Sequence, residues 1–193
     1  MKKSLLALAV LSAFAGAASA QSSVTLSGAV DLGLVRQNGA WNMQTAGSGR
    51  SAVNFAGSED LGGGMRAFFN VNHRFKPNNG TQADTARFWR QSWVGLGGGF
   101  GDVRLGRFLP PLQTYNGDFD PFGTETVGST HTGGIGAGSG GNARNSNQIE
   151  YISPNLGGLS IRGSIAAADE NGGAERPVGF GVNYAGGPVR VAV

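Results

Sequence analysis

Residues 24–34 read VTLSGAVDLGL, and apolar side chains recur at every second position through most of this stretch. The even positions carry Val24, Leu26, Val30, Leu32 and Leu34, whereas the odd positions carry polar or small residues. Successive side chains of a β-strand point to opposite faces, so this alternation predicts a strand with one apolar and one polar face. The same alternation recurs along the chain, and it predicts an all-β protein.

Nine alternating segments follow one another after residue 20, separated by glycine-rich or polar stretches. They cover residues 24–36, 50–57, 65–76, 86–96, 102–108, 147–153, 159–167, 178–185 and 189–193. Short turns, predicted at residues 58–64, 97–101, 154–158 and 186–188, alternate with long polar loops, as is typical of bacterial outer-membrane barrels. Nine is an odd number and the last segment stops in mid-pattern, so we expect an N-terminal fragment whose C-terminal strands are missing.

The first 20 residues have the three parts of a secretory signal peptide. Lys2 and Lys3 precede an apolar run at residues 5–14, and Ala18-Ser19-Ala20 is a small-residue cleavage site. The run is shorter than the ~20 residues that a spanning helix needs. We therefore predict a signal peptide at residues 1–20, cleaved after Ala20, and a mature chain at residues 21–193. An exported chain of half-apolar strands indicates a transmembrane antiparallel β-barrel in the outer membrane of a Gram-negative bacterium.

The composition argues against several classes of function. There is no cysteine, which excludes a disulfide scaffold or a thiolate metal site. The predicted mature chain has a net charge near +1 and no basic run, so no nucleic-acid partner is expected. Residues 136–141 fit a G-x-G-x-x-G pattern, but neither a strand before them nor a helix after them is predicted. We predict no cofactor, no metal site and no catalytic residue.

Four stretches resemble the general porins of β-proteobacteria. Residues 55–67 (FAGSEDLGGGMRA) are similar to the second-to-third-strand signature of that family, and residues 90–96 (RQSWVGL) to its fourth strand. Residues 98–107 (GGFGDVRLGR) resemble its fourth-to-fifth hairpin, and residues 145–154 (NSNQIEYISP) its sixth strand and the following turn. The motifs lie in register over nearly all of residues 21–193.

The resemblance implies a sixteen-stranded barrel that assembles as a homotrimer and passes small hydrophilic solutes and ions by diffusion. Outer-membrane lipid and lipopolysaccharide would surround such a barrel. The resemblance also implies that residues 109–145 fold inward as a long constriction loop. This chain ends at about half of the family's expected length.

In such porins, arginines on the barrel wall face acidic groups on the inward loop. The corresponding candidates here are Arg36, Arg66, Arg74, Arg104 and Arg107 on the wall, with Asp118, Asp120 and Glu125 in the loop. An arginine that faces lipid at mid-depth costs about 2–4 kcal/mol, so strand arginines should face the lumen or lie at a rim. The parity of the neighbouring residues supports a lumenal position best for Arg66 and Arg162. The wall arginines predict a slight preference for anions.

Arg104 and Arg107 have opposite parity, and Arg107 shares the parity of Val103 and Leu105. Both arginines can face water only if the strand is bulged near Gly106 or ends there. The sequence leaves both alternatives open.

Two other functions are compatible with an outer-membrane barrel. A non-conducting adhesin or structural barrel would plug its lumen with large side chains, whereas Ser27, Asn54 and Ser164 lie on the predicted polar face. A barrel enzyme would need a clustered nucleophile, base and acid, for which the two histidines of the chain offer little material.

Overall fold

The computed structural model of the protein describes residues 22–44, 50–119, 144–167 and 176–193. The strands are β1 (Ser23–Ala29), β2 (Gly33–Gln37), β3 (Ala40–Gln44), β4 (Ala52–Gly62), β5 (Met65–Lys76), β6 (Thr81–Gln82), β7 (Trp89–Gly98), β8 (Gly101–Phe108), β9 (Asn145–Ile152), β10 (Leu159–Ala166), β11 (Val178–Gly186) and β12 (Val189–Ala192). One helix, α1 (Pro111–Phe119), follows β8. The described segments form one large antiparallel sheet and one separate hairpin.

Nine strands run side by side in the large sheet, in the order β1-β4-β5-β7-β8-β9-β10-β11-β12, and β6 extends it by pairing with β5. They correspond one to one to the nine segments predicted from the alternation, so that prediction is confirmed. Each strand pairs antiparallel with its neighbours in this order, as tight turns between consecutive strands require. Within the described ranges, no helix is both long enough and apolar enough to cross a membrane.

One face of the sheet is apolar and exposed. A row of cross-strand neighbours joins six strands through Phe69, Val94, Leu105, Ile149, Ile165 and Val178. Val94, Leu105 and Val178 are each at least half exposed. Soluble proteins rarely expose so continuous an apolar surface, so this face is suited to an apolar environment.

The opposite face carries polar side chains and the core. Its matching row consists of Phe68, Gly95, Arg104, Glu150, Ser164 and Gly179. The most buried large side chains include Phe108, Gln148 and Glu150, and α1 contacts β10 and β11. The core therefore lies between the polar face and α1, where the alternation alone would place water.

The first predicted strand, residues 24–36, is interrupted in the structure. β1 ends at Ala29, and the buried Ser51 then binds both backbone groups of Asp31. Ser51 Oγ accepts from the Asp31 N–H at 2.8 Å and donates to the Asp31 carbonyl at 3.1 Å. A side chain thus takes over the backbone hydrogen bonds that would continue the ladder, and the chain leaves the large sheet.

The stretch at residues 37–49, between the first two predicted strands, was predicted to be a polar loop. That prediction is wrong for residues 40–44, which form a strand. β2 and β3 form a separate two-stranded hairpin around Asn38 and Gly39, whose φ angles are +52° and +81°. Asn-Gly is the strongest short signal for a two-residue hairpin turn, because both residues tolerate positive φ. The hairpin could therefore have been predicted from the sequence.

Two predicted turns are tighter in the structure than the sequence pattern indicated. β4 runs on to Gly62, so the turn predicted at residues 58–64 narrows to Gly63 and Gly64. β7 runs on to Gly98 and leaves only Gly99 and Phe100 before β8. Glycine at such positions lets a strand reach the turn itself, since it adopts positive φ without strain.

Candidate functional site

Two prolines mark the start of helix α1, two residues after the end of β8. Pro111 is its first residue, and the Thr114 N–H donates to the Pro110 carbonyl at 3.0 Å. Proline suits the first position of a helix, because its missing N–H would have no intrahelical partner there. The sequence predicted only a long irregular stretch at residues 109–145, so the helix is a structural finding.

Two glycines of β11 let α1 approach the polar face closely. A Cβ atom at Gly179 would lie 2.8 Å from Pro111 Cδ, and one at Gly181 would lie 2.5 Å from Tyr115 Cε2. Both separations are shorter than any ordinary contact between carbon atoms. Any larger residue at these positions would displace the helix from the sheet.

Next to the helix, one buried carboxylate faces two arginines. Arg104 Nε donates to Glu150 Oε2 at 2.7 Å, and Arg162 Nη1 lies 3.9 Å from Glu150 Oε1. The Glu150 side chain has 0% exposure, whereas both arginines retain some contact with solvent. The cluster of Arg104, Glu150 and Arg162 therefore carries an excess of one positive charge on the polar face.

Aromatic rings surround this cluster and connect it to α1. The Arg104 guanidinium lies 4.5 Å from the ring centroid of Phe108 and 5.2 Å from that of Trp93. The Arg162 guanidinium lies 5.8 Å from the ring centroid of Tyr115. Burial raises the pKa of Tyr115, so its phenol stays protonated and uncharged near neutral pH. Arg162 thus contacts both the wall carboxylate and the helix.

The far end of α1 contacts the last strand of the sheet. Arg190 Nη2 on β12 lies 2.6 Å from Asp118 Oδ2, and its guanidinium is 5.3 Å from the ring centroid of Phe119. Both charged side chains are partly exposed. The helix therefore runs along β11, from Pro111 over Gly179 to Asp118 beside β12.

A further ion pair lies toward the short-turn end of the polar face. Arg66 Nη2 donates to both carboxylate oxygens of Asp102, at 2.7 and 2.8 Å. Cross-strand pairing through Gly97 places these residues one row closer to the turns than Arg104 and Glu150. As parity indicated, Arg66 and Arg162 both lie on the polar face.

The opposite parity of Arg104 and Arg107 persists in the structure, because β8 pairs with β7 in unbroken register through Gly106 and Arg107. The register of β8 against β9 shifts between Gly106 and Phe108, and Gly106 has a φ of +136°. Arg107 is buried and donates to Ser146 Oγ at 2.9 Å and to the Arg144 carbonyl at 3.2 Å. The extra residue of this shift lies in β9, where three steps from Asn145 to Gln148 face two steps in β8. Neither alternative is therefore observed, and Arg107 is instead buried in contacts at the start of β9.

The other candidates are spread over the molecule. Arg74 is buried at the long-loop end of β5, in register with Ala52, and Arg36 is exposed on the separate β2–β3 hairpin. Asp120 and Glu125 lie outside the described residues. Of the eight predicted constriction residues, the structure thus places Arg104 beside α1 and Asp118 on it.

Glu150 and Arg190 were not among the residues predicted from the sequence. Glu150 shares the polar parity of Gln148 within β9, and an acid at the middle of a strand indicates a basic partner on the same face. That signal was available in the sequence. Arg190 lies in a four-residue strand, and its partner is 72 positions away, so no local pattern identifies it.

Comparisons with known proteins give consistent matches. A family model described as Gram-negative porin matches residues 7–193. The chain is 37% identical over 212 residues to outer membrane porin protein 32 of Delftia acidovorans, and the alignment covers 100% of this chain and 59% of that protein. It is 32% identical over 227 residues to an outer membrane porin protein of Bordetella pertussis, covering 100% of this chain and 58% of that protein.

Solved structures agree with these matches. The anion-selective porin from Comamonas acidovorans superposes with a TM-score of 0.72 at 32% identity, over 89% of this chain and 56% of that one. A loop-deletion mutant of OmpT, an outer membrane protein of Vibrio cholerae, has a TM-score of 0.65 at 14% identity, over 89% and 51%, and shares the fold alone. The chain thus spans somewhat more than half the length of these relatives.

Proposed function

Because the chain belongs to the Gram-negative porin family, as its motifs predicted, we propose that the protein is a passive diffusion channel for small hydrophilic solutes and ions. The protein is an outer-membrane β-barrel protein of a Gram-negative bacterium. The proposal assigns the apolar face to lipid and the polar face to a water-filled lumen, since barrel strands alternate between the two. The sixteen strands and the homotrimer implied by the resemblance belong to this proposal.

The observation that carries the proposal is the position of α1 on the polar face. A helix packed against Gly179 and Gly181 occupies space that would otherwise be lumen. The narrowest part of the pore is then bounded by α1 on one side and by the facing barrel wall on the other. Pores sort ions where they are narrow, because charged side chains there act at short range.

The charges beside α1 favour anions. Arg104 and Arg162 share the single carboxylate of Glu150, so the wall next to the helix carries net positive charge. A solved relative of this chain is described as an anion-selective porin, in agreement with this sign. The preference would be modest, because the ion pairs Arg66–Asp102 and Arg190–Asp118 on the same face are each neutral and add no further positive charge.

The remaining predicted constriction residues stay within the proposal on the grounds of the resemblance. They are Arg36, Arg66, Arg74, Arg107, Asp120 and Glu125. We propose further that lipopolysaccharide and outer-membrane lipid, together with neighbouring subunits, cover the exposed apolar row from Phe69 to Val178.

Single-channel recording across a planar bilayer tests the channel function. The full-length protein, extracted from the outer membrane, is measured under a salt gradient. We expect currents that close in three equal steps and a reversal potential whose sign shows anion preference. A correctly folded barrel that passes no current would refute the proposal and favour a non-conducting adhesin or structural role.

A further inference from the structure

We propose that Asp118 acts in this pore as a positioning residue, through an ion pair with Arg190 that holds the last turn of α1 against β12. This inference rests on the proposed channel function. It differs from the role predicted from the sequence, in which Asp118 is an acid that faces the wall arginines across the lumen.

Arg190 makes two different contacts with consecutive residues of α1. Its Nη2 atom lies 2.6 Å from Asp118 Oδ2, and its guanidinium lies 5.3 Å from the ring centroid of Phe119. An ion pair fixes the carboxylate, and a cation–π contact fixes the neighbouring ring. A single side chain of β12 therefore restrains the end of the helix at two points.

The two ends of α1 are held in different ways. Tyr115, in the middle of the helix, is almost fully buried over Gly181, and Pro111 packs against Gly179. Phe119 is 47% exposed, so burial holds the last turn much less firmly. The Arg190 contacts act at this less buried end.

The helix dipole explains why an arginine is needed there. The C-terminal end of a helix carries partial negative charge, so an acid in the last turn is unfavourable by itself. α1 has no basic residue in its own last turn. Arg190 supplies the missing cation from the neighbouring strand and offsets both the carboxylate and the dipole.

The pairing also changes what Asp118 contributes to the pore. A carboxylate 2.6 Å from a guanidinium presents a small dipole to a passing ion, and its field falls off faster than that of a lone charge. Its effect on permeation should then come mainly from where the helix stands.

Four variants of the full-length protein distinguish a positioning role from a charge role. Asp118→Asn and Arg190→Gln each remove one partner, and the double variant D118R/R190D restores the pair with reversed charges. Asp102→Asn is the matched control, because Arg66–Asp102 is a similar, partly exposed pair of the polar face formed by residues of the wall alone. Open-channel current noise and reversal potential are recorded at 0.1 M and 1 M KCl.

A positioning role predicts that both single variants change the noise in the same direction. We expect open-channel noise at 0.1 M KCl to rise by roughly two- to fivefold, the range for an exposed ion pair, and D118R/R190D to reverse most of this rise. Asp102→Asn should leave the noise within about twofold of the wild type. The difference should shrink at 1 M KCl, where the Debye length falls to about 3 Å.

A charge role predicts the opposite pattern. Asp118→Asn and Arg190→Gln would then move the reversal potential in opposite directions and leave the noise unchanged, and D118R/R190D, whose net charge equals that of the wild type, would bring the reversal potential back. That result would overturn the inference and leave the channel function intact.

A spin label provides a readout that does not depend on ion flow. The chain has no cysteine, so a nitroxide attached at Leu112→Cys, an exposed position of α1, reports on the helix alone. Greater label mobility in Asp118→Asn and Arg190→Gln, but not in Asp102→Asn, supports positioning even in a barrel that does not conduct. Unchanged mobility in all variants of a conducting channel refutes it.

Discussion

Two groups of arginine and carboxylate side chains on the polar face differ in burial. Beside α1, Arg104 and Arg162 face a Glu150 side chain with 0% exposure, whereas Arg66 on β5 faces an Asp102 side chain on β8 that is 27% exposed. Both groups are arginine–carboxylate contacts between strands. The packed helix and its neighbours deprive the first group of water, and this difference should decide which charges are structural and which are replaceable.

The largest effect is expected at Glu150. Glu150→Gln would leave Arg104 and Arg162 beside each other without a carboxylate. Removing one partner of a buried ion pair lowers the free energy of unfolding by about 3–5 kcal/mol. Urea unfolding of the full-length protein in lipid vesicles measures this loss. A decrease in the free energy of unfolding below about 1 kcal/mol would show that the buried cluster behaves like an exposed pair, so that burial does not distinguish the two groups.

The second largest effect is expected where α1 packs against β11. Gly181→Ala would place a methyl group 2.5 Å from Tyr115 Cε2, so α1 must move toward the lumen at a cost of about 1–3 kcal/mol. We expect lower single-channel conductance together with this loss of stability. Gly163→Ala on β10 is the matched control, because a Cβ there has open space within 4 Å. Equal conductance in both variants would contradict the claim that close packing on Gly181 positions α1.

Removal of the Arg162 charge should change ion selectivity. Arg162→Gln removes one positive charge and leaves the contact between Arg104 and Glu150 in place. A unit charge about 10 Å away in water contributes ~0.4 kcal/mol, with opposite sign for an anion and a cation, so we expect the anion-to-cation permeability ratio to fall by about fourfold. The reversal potential under a salt gradient measures this ratio. A rise in the ratio would disprove the assigned sign.

The smallest effect is expected at the exposed pair. Asp102→Asn removes a partner of Arg66 that water can replace, so the stability loss should be about 0.2–1 kcal/mol. The same urea titration serves as the measurement. A loss above about 2 kcal/mol would mean that exposure does not separate the two groups.

The fold was largely predictable because strand alternation is a local property. The nine segments and their apolar faces correspond to the nine strands of the large sheet. The β2–β3 hairpin was missed although Asn38-Gly39 is a strong turn signal. The break after Ala29 had no such signal, because it depends on Ser51, which lies 20 residues from Asp31.

The candidate site was less predictable, as Arg107 and Asp118 illustrate. The resemblance assigns both to the constriction, and the sequence gives no sign that Arg107 is buried beside Ser146 or that Asp118 is paired with Arg190. Parity identifies the face of a residue but not its partner. The cluster at Glu150 required the register between β8 and β9 as well as the position of α1.

The sequence by itself determined the strands, their two faces and the family, because these depend on spacing within short segments. Only the tertiary structure decided which charges meet. Arg104 and Glu150 are 46 residues apart and Asp118 and Arg190 are 72 apart, so strand register and the packing of the helix, rather than any local pattern, set these pairs. Burial also depends on packing from several elements at once, and we expect burial to separate the charges of the polar face that are structural from those that are replaceable.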